Sequence, residues 1–238
     1  MNKLLAVLIV ICMSLLFSGI VNAQAEQQIK TEIQKRLGAN VKVKSVSAAP
    51  VPGLYEVLVG NEVFYTDVAG KYLIQGEIIE LATGKNITEQ RQTDLNRIKW
   101  ADLTQANAIK TVRGNGSRQL AVFSDPNCGY CKRLEKSMQQ LENVTIYTYL
   151  IPILSADSAQ KSKQIWCAPD PYKTYMDWMI NGISPSGKTD CSTPLDKNLA
   201  FAKTYGITGT PTLFFTDGSR FPGAVQITDI EKKFSTLK

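Results

Sequence analysis

Histidine is absent from the 238 residues. That excludes imidazole acid–base work, Ser-His and Cys-His nucleophile pairs, and zinc sites that need a His ligand. Acidic residues are the minority charge, 21 Asp and Glu against 27 Lys and Arg, for a net +6. The excess cations are scattered. No aromatic-interleaved basic cluster exists, so nucleic acid is not an expected partner. Repeats and low-complexity tracts are also missing. What remains, 44% hydrophobic and 20% charged residues, is the composition of an ordinary globular protein with room for one or two domains.

The one long apolar run, Leu4 to Phe17, is too short to span a membrane comfortably. Lys3 precedes it, and Val21-Asn22-Ala23 follows as a small-residue cleavage site, so residues 1–23 are expected to be a cleaved secretory signal. Ile11 is too bulky to precede a lipidated cysteine, and Cys12 should leave with the signal. Four of the five cysteines then remain: Cys128, Cys131, Cys167 and Cys191. An even count in an exported chain favours disulfides over metal sites.

Glu26 to Leu37 reads as an amphipathic helix, with Ile29, Ile33 and Leu37 at i, i+4 and i+8 and Gly38 as its stop. From Val41 the period changes to two. Turn signals at Gly60-Asn61 and Ala69-Gly70 then predict a small antiparallel sheet that ends near Gly84. A cysteine-free unit of this size is marginal by itself. It either packs on its neighbour or is completed by a second chain. Residues 85–106 are strongly polar and are predicted as a linker helix, capped by Thr88, with a thin stripe of Leu95, Ile98 and Leu103. From residue 107 the pattern is α/β. A buried strand at Leu120–Ser124 is followed by a helix over 128–141 and a strand over 144–151. Helices over 155–181 and 195–205, a strand at Thr212–Phe215 and a closing helix from Thr228 complete the chain.

Chemistry concentrates at Cys128-Gly129-Tyr130-Cys131, directly after a strand and opening a helix. Two thiols at that spacing lie within bridging reach, and the helix N-terminus stabilises the thiolate of the first. So small a ring would add little as a structural staple, and a zinc ribbon would want a second close Cys pair. Redox exchange is therefore the expected chemistry, with no metal and no cofactor. Gly209-Thr210-Pro211-Thr212 precedes another apolar strand, with Pro211 either an ordinary strand-start proline or a cis one. Asp125 is either a turn residue or an influence on the thiols. Phe123, Tyr130 and Phe214 either rim the site or belong to the core.

Together these residues resemble the thioredoxin superfamily and, within it, the DsbC/DsbG family of disulfide isomerases. The resemblance rests on Phe123-Ser124-Asp125-Pro126-Asn127-Cys128-Gly129-Tyr130-Cys131, Ile165-Trp166-Cys167, Gly209-Thr210-Pro211 and Tyr72-Leu73-Ile74-Gln75-Gly76. It implies an α+β N-terminal dimerisation domain over 24–84, a linker helix over 85–106 and a thioredoxin-like α/β domain with a helical insertion over 107–238. By the same resemblance Cys128 is the nucleophile and Cys131 the resolving thiol. Thr210 and Pro211 form a cis-proline loop that pairs with substrate, beside Tyr130. Cys167 and Cys191 form a buried structural disulfide. The implied setting is the periplasm, with a homodimer, misfolded disulfide-containing exported proteins as substrates and a membrane thiol reductase of the DsbD type as electron donor. Gly129-Tyr130 lacks the histidine of strong oxidases, which argues for a milder couple suited to shuffling. The rival readings are a net oxidase or reductase of the DsbG type, and a holdase without enzymatic activity.

Overall fold

The computed structural model describes residues 23–237, so the expected signal segment lies almost wholly outside the described residues. Two compact units divide at Leu95/Asn96.

In the first unit, helix α1 (residues 23–37) ends at Gly38, whose φ of +80° suits only glycine comfortably. Its Ile29 and Ile33 are buried with Val43, Val46 and Val57 of a sheet formed by β1 (Val43–Ala48), β2 (Leu54–Val59), β3 (Glu62–Asp67) and β4 (Leu73–Ile74). All neighbouring strands are antiparallel, in chain order. Gln34 ties helix to sheet: its side-chain oxygen accepts from Val43 N at 2.9 Å. A two-stranded ribbon, β5 (Ile79–Glu80) with β6 (Lys85–Asn86), leads into α2 (Ile87–Leu95).

The linker helix is much shorter than the sequence suggests. Asn86 rather than Thr88 caps it, its Oδ1 accepting from Glu89 N at 2.9 Å. Thr88 is buried instead, bonded to Tyr65 Oη and Ile78 N. Beyond Leu95 the chain breaks into two 3₁₀ turns, Trp100–Asp102 and Gln105–Asn107. The reason is tertiary: Ile98 and Leu103 do not line a linker but enter the core of the second unit. Ile98 N donates to Gly218 O at 3.1 Å, and a Cβ on Gly218 would sit 2.1 Å from Ile98 O, so only glycine permits this approach.

The second unit is built on a five-stranded mixed sheet: β7 (Ile109–Arg113), β8 (Arg118–Ser124), β9 (Val144–Leu150), β10 (Thr212–Phe215) and β11 (Arg220–Pro222). The order is β11-β10-β8-β9-β7, with only β8 and β9 parallel. Alternation along β8 feeds two cores. Leu120 and Val122 face α3 (Gly129–Met138) and α7 (Ile227–Thr236). Ala121 and Phe123 face α6 (Leu195–Thr204) and the Ile98–Leu103 stretch. Helices α4 (Ala156–Trp166) and α5 (Pro171–Asn181) form the insertion. Their Ile165, Tyr175 and Met179 make a third core with Cys128, Cys131 and Leu150. The fold class is the expected one. The edge strand β7 is not legible in the sequence, because polar Thr111 takes a buried position beside Ile109 while apolar Val112 faces outward.

Candidate functional site

The end of β8 and the start of α3 position the two thiols. Ser124 closes the strand, and Asp125-Pro126-Asn127 makes the turn. Asp125 is fully buried, and its carboxylate is used up by backbone donors: Asn127 N at 2.8 Å, Ile153 N at 2.9 Å and Leu154 N at 3.0 Å. It therefore fixes the loop that carries Cys128. Cys128 is the N-cap of α3. Its sulfur accepts from Cys131 N at 3.2 Å, one of the donors a helix start leaves unpaired. The same sulfur donates to Thr210 O at 3.2 Å.

Thr210 and Pro211, joined by a cis peptide bond, stand at the entrance to β10, and the hydrogen bonds at the Cys128 sulfur bring Cys131 and Thr210, with Pro211 next in sequence, to it. Tyr130 stands apart from that group. It is 60% exposed, with the Arg133 guanidinium 4.3 Å from its ring centre. Phe123 and Phe214 are completely buried and belong to the core, which resolves their two readings. Gly129 has open space at its Cβ position, with nothing within 4 Å.

Exposure does not separate the two thiols, since Cys128 is 5% and Cys131 3% exposed. Acidity does. Burial, and after it the hydrogen bond with Cys128, push the Cys131 thiol up to about 12. The backbone of Asp125 and the facing hydroxyls of Ser124 and Thr210 work weakly the other way. An arrangement of this kind can serve thiol exchange: one sulfur sits at a helix N-terminus, and the other is kept protonated by burial.

Cys167 and Cys191 are bridged, with Cα atoms 5.7 Å apart, and they lie 24 positions apart in sequence. The expectation of a buried bridge needs correction: Cys167 is half-buried and Cys191 exposed, because Cys191 lies in the irregular segment between α5 and α6.

Comparison with known proteins agrees with the fold. Residues 105–238 match the family of the thioredoxin-like domain, and residues 21–89 match the disulfide bond isomerase protein N-terminal domain. A probable thiol:disulfide interchange protein DsbC from Bordetella pertussis is 38% identical over 215 residues, 89% of this chain and 76% of that protein. The chain belongs to the DsbC family of thiol:disulfide interchange proteins. A DsbC relative in Escherichia coli is 26% identical over 212 residues, 87% of this chain and 86% of its own. The crystal structure of a disulfide interchange protein from Neisseria gonorrhoeae superposes with a TM-score of 0.53 at 38% identity, over 56% of this chain and 96% of that one. Like its DsbC relatives, the chain is an enzyme of thiol:disulfide interchange, as the sequence led us to expect.

Sequence reasoning missed three groups behind the DsbC-type thiols: Glu135 on α3, Tyr175 on α5 and Arg113 on β7. Glu135 had a signal. It lies four positions after Cys131 and three before Met138, on the apolar stripe of the helix, where a carboxyl is out of place.

Proposed function

We propose that the protein is a disulfide isomerase that reshuffles wrong disulfides in exported proteins. The Cys128 thiolate attacks one sulfur of a substrate disulfide. A mixed disulfide forms, and the other substrate sulfur leaves as thiolate. A second substrate thiolate then attacks the substrate sulfur of the mixed disulfide, forms the new bond and frees Cys128. Alternatively the Cys131 thiolate attacks Cys128 Sγ, expels the substrate thiolate and leaves the enzyme oxidised. The observation that carries this reading is the contrast at the two sulfurs. Cys128 caps the helix, whereas Cys131 is pushed up to about 12. Burial therefore keeps Cys131 protonated at neutral pH. Closure by Cys131 is thereby slowed, and the mixed disulfide lives long enough for a substrate thiol to find it.

Thr210 and Pro211 offer backbone to an extended substrate strand, and the exposed ring of Tyr130, at the second position of α3, offers further apolar surface to the substrate. The N-terminal unit supports a homodimer reading. Val68, Tyr72, Leu73, Ile74, Ile79 and Leu81 leave apolar surface open along one stretch, with Leu81 94% exposed, and β4 is an edge strand. A second copy covering that stretch would hold two sites over one misfolded chain. The setting is the periplasm, reached with a cleaved signal, and a membrane thiol reductase of the DsbD type keeps the pair reduced. Among the described residues no helix is long and apolar enough to cross a membrane.

The test is recovery of a scrambled multi-disulfide protein by the reduced enzyme. Wild type should restore activity, and Cys128→Ser should lose nearly all of the gain over buffer. Full retention by Cys128→Ser would mean a holdase. Net oxidation without correction of pairing would mean an oxidase.

A further inference from the structure

Cys131 has to lose its proton in order to close on a mixed disulfide, yet burial opposes this and no histidine exists in the chain to take the proton. Behind it lies a chain of groups that ends in a buried acid. The Ser124 hydroxyl faces the Cys131 sulfur. Ser124 Oγ and Tyr175 Oη are 3.1 Å apart, and Tyr175 Oη donates to Glu135 Oε2 at 3.4 Å. Ser124, Tyr175 and Glu135 are all almost completely buried, and they come from β8, α5 and α3.

We propose that Glu135 is the proton acceptor for Cys131, reached through Tyr175 and Ser124. The inference rests on Cys128 and Cys131 being the exchanging pair. In the closing step the Cys131 S–H proton passes to Ser124 Oγ, the Ser124 proton to Tyr175 Oη, and the Tyr175 proton to a Glu135 carboxylate oxygen. The Cys131 thiolate so formed attacks Cys128 Sγ, and the Cys128–substrate S–S bond breaks. The substrate leaves as thiolate with the bonding pair, and the enzyme is left with a disulfide and a neutral Glu135. In the opening step a thiolate attacks Cys128 Sγ and displaces Cys131 as thiolate, and Glu135 returns the proton along the same path. Glu135 and Tyr175 act through Ser124 and never touch the exchanging sulfurs, so they are positioning residues.

The surroundings suit an acid that changes charge. Two groups outside α3 face Glu135, Arg113 from β7 and Tyr175 from α5, and Cys131 lies one turn earlier on its own helix. Burial raises the carboxyl to about 7, against the pull of the Arg113 charge and the Tyr175 bond. Arg113 Nε and Nη2 are themselves buried without a partner, a positive charge held near the acid but not locked to it. A purely structural carboxyl would be expected in a tight ion pair there.

The experiment uses the full chain and the aromatic disulfide 5,5′-dithiobis(2-nitrobenzoate). Attack by Cys128 releases one chromophoric thiolate and leaves a mixed disulfide, and closure by Cys131 releases the second. Stopped-flow absorbance gives both rates between pH 5 and 9. In wild type the second rate should rise through an inflection near pH 7. In Glu135→Gln and in Tyr175→Phe the inflection should vanish, with the second rate at pH 7 down about tenfold and the first rate within twofold of wild type. If the inflection persists in Glu135→Gln, the relay is wrong. The same holds if that variant loses only thermal stability and keeps the wild-type profile. If no mixed disulfide forms at Cys128 in wild type, the reading of the pair itself falls, and the relay with it.

Discussion

Replacing Glu135 by glutamine removes a proton-binding group from the interior while keeping its shape. The consequence for stability can be worked out from its surroundings. In the unfolded chain this carboxyl titrates near 4.5, and in the folded chain near 7, because burial outweighs the Arg113 charge. The folded state therefore holds the proton more tightly. Folding takes up a proton between those two values, so the stability this group contributes is fullest below pH 4.5, falls as pH rises through 7, and is level above. This is the reverse of a salt-bridged carboxylate. The full gap corresponds to about 3 kcal/mol, and the part between pH 5 and pH 8 to about 2–3 kcal/mol. Glutamine has no proton to lose there. The stability of Glu135→Gln minus that of wild type should therefore rise by about 2–3 kcal/mol from pH 5 to pH 8, other groups cancelling in the difference. Urea unfolding of both proteins at the two pH values, with Cys128 and Cys131 in the same redox state, measures it. A difference independent of pH would refute the reasoning. So would a difference that falls, which is the sign expected if Arg113 held the carboxyl low.

Changing Cys167 and Cys191 together to Ala opens a loop of about 25 residues, worth roughly 3–4 kcal/mol in the chain-entropy account. The urea midpoint should fall accordingly, while thiol exchange in the folded fraction continues; exchange lost with stability intact would show a redox role. Asp125→Ala leaves the N–H groups of Asn127, Ile153 and Leu154 without their acceptor, and should lower stability by about 2–5 kcal/mol and slow the first exchange step. Unfolding curves and single-turnover rates check both effects, and unchanged stability would contradict the role given to Asp125. A fragment starting at Asn96 should fold, whereas one starting at Ala106 lacks Ile98 and Leu103 and should be roughly 3–6 kcal/mol less stable; equal urea midpoints would overturn that packing.

The features legible in the sequence were those carried by local pattern. The strand before Cys128, the helix after it and the turn at Asp217-Gly218 each announce themselves within a few residues. Cys128, Cys131, Thr210 and Pro211 were found because CxxC and Thr-Pro are short motifs, and their meeting followed from the resemblance. What escaped is what depends on long-range packing. Ile98 and Leu103 read as a helical stripe because nothing nearby says that Gly218, more than a hundred residues on, leaves room for the Ile98 backbone. Glu135, Tyr175 and Arg113 come from three separate elements, and only the folded insertion brings Tyr175 to Ser124. The exposure of Cys191 was hidden for a similar reason, since apolar Ile165-Trp166 lies beside Cys167 and not beside its partner.

The most direct measurement of the central claim is trapping. Cys131→Ser and Cys128→Ser are each incubated, reduced, with a scrambled disulfide protein, quenched by alkylation and mapped by mass spectrometry. The geometry of a capped Cys128 and a protonated Cys131 predicts that Cys131→Ser accumulates a mixed disulfide at Cys128, and that Cys128→Ser accumulates little at Cys131. Equal trapping by the two variants, or trapping at Cys131 alone, would contradict the assignment of Cys128 as the attacking sulfur.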